Sequence, residues 1–137
     1  MVNPEVLRLR LSKLREYHRI LTRLKRFART HFKEDEMIHA SAERYLHLAA
    51  EAMIDTASNI VADENLGSPQ DYRDTFQILG EHKIISRAFA EKLQQWAGFR
   101  NILVHNYTRL DLDKVYDVLQ NNLGDIKQFA KRFARFL

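Results

Sequence analysis

Apolar residues recur every three or four positions along nearly the whole chain, the period of a helix with one buried face. Leu7, Leu11, Leu14, Tyr17, Leu21, Leu24 and Ala28 predict a first helix over about 4–32, and Pro4 suits its first turn. Met37, Ile38, Ala42, Tyr45, Leu46, Ala49, Met53, Thr56, Ala57 and Ile60 predict a second over about 35–64. Asn65, Leu66, Gly67, Ser68 and Pro69 concentrate helix breakers: glycine suits a left-handed cap, and proline bars the residue before it from helical geometry. A short helix follows through Tyr72, Phe76 and Leu79 and is expected to stop at Gly80. Ser86 is placed to cap a helix carrying Phe89, Leu93, Trp96, Ala97 and Leu103 to about residue 106. Asp111 likewise caps a last helix through Val115, Leu119, Ile126, Phe129 and Phe133, with one polar break at Asn122. The pattern predicts an all-α fold, an antiparallel bundle of four to five helices forming a single domain over 1–137.

Composition narrows the classes. With 137 residues, 45% of them hydrophobic, one core is expected. No apolar run approaches the roughly 18 residues of a membrane span, and MVNPEVLRLR lacks the apolar block of a secretory signal, so no membrane association and a cytoplasmic location are expected. Zero cysteines exclude a disulfide framework, a zinc-thiolate site and a cysteine nucleophile. The net charge of +4 is unevenly spread. Residues 1–33 hold ten Lys/Arg against Glu5 and Glu16, a net +8, while the remainder carries twelve basic and sixteen acidic groups, a net −4. The first helix, with Arg15, Arg19, Arg23 and Arg26, is therefore placed to meet RNA phosphates or to lie against an acidic surface; the plain alternative is a solvated face.

No glycine-rich phosphate loop, His-Glu-x-x-His pair or calcium loop occurs, and no metal site is expected. His39 and His47, eight apart on the second helix, read as surface imidazoles. The stretch Gly98 to Tyr107, GFRNILVHNY, carries more chemistry. Arg100 is a permanently charged fork that grips phosphate through two N–H groups, and His105 exchanges a proton near neutral pH. Together they supply what phosphodiester cleavage needs without a metal. Five residues at about 100° each place them about 140° apart on a helix, so they do not share a face. They converge only if the helix bends or ends near His105, if the arginine wraps round, or if a second subunit brings its own copy. The bland reading makes Arg100 an ion-pair partner, His105 a helix-end residue favoured by the dipole and Tyr107 a core residue.

GFRNILVHNY resembles the Arg-x-x-x-x-His-x-Tyr motif of the HepT-like branch of the HEPN superfamily, ribonuclease toxins paired with a minimal nucleotidyltransferase (MNT) antitoxin. ERYLHLAAEAMIDTASNI (43–60) is similar to that family's long second helix, GSPQDYRDTFQILGEHKII (67–85) to its connecting segment, and KVYDVLQNNLGDIKQFAKRF to its last helix. The likeness spans roughly residues 40–133; the first 39 match only as a helix of suitable length.

The resemblance implies a toxin of a type II-like toxin-antitoxin pair, with Arg100 and His105 catalytic, Asn101 the polar residue that often follows the arginine, and Tyr107 the tyrosine adenylylated by the antitoxin. It implies a homodimer whose two motifs face one cleft, an RNA substrate and no cofactor for cleavage, with ATP and magnesium used by the antitoxin. Glu51, Asp55 and Asn59, at i, i+4 and i+8 on the second helix, are candidates to orient Arg100. Two other readings stay open: a non-catalytic helical module that docks a nucleotidyltransferase or a nucleotide, and a purely structural helical dimer.

Overall fold

A computed structural model describes residues 2–105 and 111–137. Seven α-helices and a terminal 3-10 turn make up the described residues: α1 (Pro4–Leu24), α2 (Arg29–Glu34), α3 (Glu36–Asp63), α4 (Tyr72–Glu81), α5 (Arg87–His105), α6 (Leu112–Asn121), α7 (Leu123–Phe133) and the turn Ala134–Phe136. Side-chain acceptors meet the otherwise unpaired first N–H groups. Asn3 caps α1, Asp35 caps α3, Asp71 caps α4, and Asp111 caps α6. Ser86 Oγ accepts from Phe89 N at 3.1 Å, as its position before α5 predicts.

The bundle is built around α3, which touches every other α-helix among the described residues, with α1, α4 and α5 as its main neighbours. Its register with α1 is antiparallel: Arg10 meets Asp55, and Tyr17 meets Tyr45. Arg100 meets Glu51 while Leu103 lies beside His47, so α5 also runs antiparallel to α3. Leu11, Leu14, Leu21, Leu46, Met53, Ile60, Phe76 and Phe129 are buried where these faces meet. No helix among the described residues is long and apolar enough to cross a membrane.

Two helices that the hydrophobic period predicts as continuous are broken, which is why seven form instead of four or five. The first ends at Leu24, and Ala28 turns extended before α2. This turn swings Phe32 into the core, where it is fully buried and meets the Tyr116 ring edge-on at 5.2 Å. The freed carbonyls find donors on α6: Tyr116 Oη donates to Phe27 O at 2.9 Å, and Gln120 Nε2 to Lys25 O at 2.9 Å. The last helix breaks at the polar Asn122, and the new axis buries Leu123 and Asp125. Trp96 Nε1 donates to Asp125 Oδ2 at 3.0 Å, tying α5 to α7.

Two glycine expectations are corrected. The left-handed cap after α3 falls on Asn65 (φ 53°), with Leu66 N bonded to Val61 O and Asn65 N to Ala62 O. After α4 the same cap falls on Lys83 (φ 58°), so the helix passes Gly80 and ends at Glu81. Gly80 serves packing instead, since a Cβ there would lie 3.0 Å from that of Ala90 on α5.

Candidate active site

Gly98 to His105 form the last two turns of α5, which is anchored by the buried Leu93, Trp96, Ala97 and Phe99. That anchoring turns Arg100 toward α3 and α4. Its Nε donates to Glu51 Oε1 at 2.6 Å, its Nη1 to Asn101 Oδ1 at 3.3 Å, and its guanidinium carbon lies 5.4 Å from the centre of the Tyr72 ring. The Arg100 side chain keeps only 19% of its surface exposed. Two of the five guanidinium N–H groups are thus engaged within the described residues.

Glu51 Oε1 also accepts from His47 Nε2 at 3.1 Å. Burial pushes the Glu51 carboxyl up, but the hydrogen bonds from Arg100 and His47 outweigh it and hold it below the ordinary glutamate range. Glu51 is therefore a charged acceptor at neutral pH, fixing the arginine from one side. Asp55, one turn further along α3, is different. Desolvation and the neighbouring Glu51 charge raise its carboxyl, against the pull of Arg10 and Arg100. It makes no hydrogen bond to Arg100, and Arg10 Nη1 reaches its backbone carbonyl, not its carboxylate, at 3.5 Å. Asn59 faces the start of α1, beside Val2, Asn3 and Val6. Of the three residues expected to orient Arg100, only Glu51 hydrogen-bonds it; Asp55 reaches it through charge alone.

His105 is the exposed last residue of α5, and the helix reaches it unbroken. The bend that would have united the pair does not occur. Arg100 turns to α3 and α4, His105 lies about 140° round the axis, and no hydrogen bond joins them among the described residues. Tyr107 lies outside the described residues. Phe99 is committed to its own core against Trp96 at 6.1 Å, whereas Ile102 is 43% exposed.

The basic first segment divides. Arg29 and Lys33 on α2 bond Asp113 at 3.0 Å each, and Arg29 also bonds Asp117 at 2.8 Å, so this part lies against acidic α6. Arg15, Arg19, Arg23 and Arg26 are exposed and make no ion pair among the described residues. His47, expected as a surface imidazole, is half-buried against Glu51, and neither its place there nor that of Tyr72 beside Arg100 was expected. The first had a signal in its i, i+4 spacing from Glu51, but Tyr72 had none, because only the packing of α4 on α5 brings it to Arg100. His39 bonds Phe32 O at 3.0 Å through Nδ1 and does not meet His47.

The Ribonuclease HepT-like family model matches residues 14–133 and so takes in part of the basic first helix. The mRNA nuclease HepT of Shewanella oneidensis is 39% identical over 98 residues, 72% of this chain and 74% of that protein. The tRNA nuclease HepT of Aphanizomenon flos-aquae is 25% identical over 142 aligned residues, 99% of this chain and 92% of that protein. Among solved structures, the tri-AMPylated Shewanella oneidensis HEPN toxin in complex with MNT antitoxin matches with a TM-score of 0.84 at 30% identity, covering 96% of this chain and 97% of that one.

Proposed function

The chain belongs to the Ribonuclease HepT-like family, and on that premise we propose that it is a metal-independent endoribonuclease, the cytoplasmic toxin of a pair whose antitoxin is an MNT nucleotidyltransferase. The observation that carries the reading is the Arg100–Glu51 bond of 2.6 Å, backed by His47. It fixes a guanidinium beside the exposed Tyr72 ring, and three of its five N–H groups bond nothing among the described residues; in this reading they seat one phosphodiester.

In the reaction proposed, the ribose 2′-oxygen attacks the adjacent phosphorus as His105 takes its proton. The bond to the 5′-oxygen breaks, that oxygen takes a proton from water, a 2′,3′-cyclic phosphate remains, and His105 gives its proton back to the hydroxide so formed. Arg100 stabilises charge growing on the non-bridging oxygens. Because the pair occupies different faces of α5, the working site is composite: Arg100 of one subunit acts with His105 of a second in a homodimer. Tyr107, two residues beyond His105, is the site at which the antitoxin, using ATP and magnesium, transfers adenylyl groups; each brings a phosphate that competes for Arg100.

Cleavage of an RNA oligonucleotide by the purified protein tests the reading. Arg100→Ala and His105→Ala should each lose about 10²-fold or more in rate, and a chelator should have no effect. Mixing the two inactive variants should restore roughly a quarter of wild-type activity, because half of randomly formed dimers carry one intact composite site. No recovery in verified mixed dimers refutes the shared site. Cleavage by either variant at the wild-type rate, or its loss to chelator, refutes the mechanism. A protein that binds the antitoxin but never cuts RNA would instead be the docking module. Adducts of AMP mass after incubation with antitoxin, ATP and magnesium, absent in Tyr107→Phe, test the control step.

A further inference from the structure

A groove of about 280 Å³ lies on the side of α5 away from Arg100, between α4 and α6. Its floor is Trp96, Gly98, Phe99 and Ile102, and two cations line it, Arg73 from α4 and Lys114 from α6. Both are exposed, and neither makes an ion pair among the described residues. The nearby acids are already engaged: Asp113 and Asp117 bond Arg29 and Lys33, and Asp111 caps the backbone of Lys114.

The seat of Arg73 is shaped by the backbone. Its guanidinium lies directly over Gly98, where any Cβ would overlap Nη2, and its carbonyl accepts from Gln94 Nε2 at 3.1 Å. The glycine therefore admits a charge onto the surface of α5. Helical spacing links that charge to the proposed chemistry, because Gly98 and His105 are i, i+7 and Ile102 and His105 are i, i+3 on one unbroken helix. The groove thus leads along the same face toward His105, while Arg100 serves the opposite face.

We propose that this groove is an RNA subsite, in which Arg73 and Lys114 hold the backbone phosphate of a nucleotide flanking the cleaved bond and Ile102 supports its sugar or base. This rests on the ribonuclease reading and adds residues to it. Charge complementarity selects the occupant: two cations beside an apolar floor suit a polyanionic strand that also presents flat base faces.

The test measures binding of a 2′-O-methyl RNA oligonucleotide, whose blocked nucleophile prevents cleavage, by fluorescence anisotropy across a salt series. Arg73→Gln and Lys114→Gln should each flatten the slope of log affinity against log salt by about 0.7, and the double variant by about 1.4, the single-strand value per phosphate contact. Arg87→Gln, at the far end of α5, should leave it unchanged. Gly98→Ala, which unseats the guanidinium and keeps its charge, should also weaken binding. Thermal unfolding verifies that each variant is folded. Wild-type slopes in both single variants would overturn the subsite, as would a loss confined to antitoxin binding. If the wild type binds with these slopes yet never cleaves unmodified RNA, the subsite stands and the ribonuclease reading falls.

Discussion

Replacing Glu51 by glutamine keeps the shape of the side chain and removes the charge that holds Arg100. The native carboxylate oxygen accepts from Arg100 at 2.6 Å and from His47 at 3.1 Å, with both ion-pair side chains less than a third exposed. A hydrogen bond to a charged group contributes about 1.5 to 3 kcal/mol, and a neutral acceptor roughly half of that, so the loss at pH 7 should be about 1 to 2 kcal/mol. For a chain of this size that lowers Tm by about 4 to 8 °C. The Glu51 carboxyl titrates lower in the folded chain than in the unfolded one. Its contribution is therefore fully present above the ordinary glutamate value and is lost as pH falls through the lowered one, so the gap between wild type and variant should close only in acid. With Arg100 untethered, kcat for RNA should drop by about 10- to 100-fold, the scale of a small misplacement of a catalytic group. Circular dichroism melts over a pH series and single-turnover cleavage measure both. Equal melting temperatures at pH 7, or a gap that widens in acid, would refute the reasoning.

Asp55→Asn should behave oppositely: because desolvation and Glu51 raise its carboxyl in the fold, its charge opposes folding at neutral pH, and the variant should melt at the same or a higher temperature at pH 7, with the gain vanishing in acid. Trp96→Phe leaves the buried Asp125 carboxylate without its 3.0 Å donor and should cost about 1 to 3 kcal/mol in denaturant unfolding; Asp125→Asn, which keeps an acceptor, should cost less. Phe76→Ala empties a fully buried site and should cost about 3 to 5 kcal/mol by the same assay. Arg29→Ala should lower Tm only slightly, and high salt should erase the difference, since its pairs with Asp113 and Asp117 are exposed.

Apolar spacing was sufficient for α3, α4 and α5, and the caps at Ser86 and Asp111 were readable because a polar side chain before an apolar run has one local use. The breaks at 25–28 and at Asn122 were not, because their stability comes from afar: Tyr116 and Gln120 satisfy the first, and Trp96 receives the buried Asp125 beyond the second. At the site, i, i+4 spacing marked out Glu51 and Asp55 equally. Only the depth and rotation of α5 select Glu51, and those are set by Trp96, Ala97 and Phe99 in the core. Gly98 could be quoted as part of the motif, yet its use lies in a residue 25 positions earlier, Arg73.

The separation of Arg100 and His105 around α5 also bears on how such a protein behaves at low abundance. On the shared-site reading, a lone subunit holds half of each reaction centre, and a newly synthesised copy cuts no RNA until it meets another. On that reading, while subunits are sparse the cutting activity rises with the square of their concentration, so doubling the supply quadruples it. A partner that binds single subunits keeps them silent only where it binds them more tightly, at its own concentration, than they bind each other.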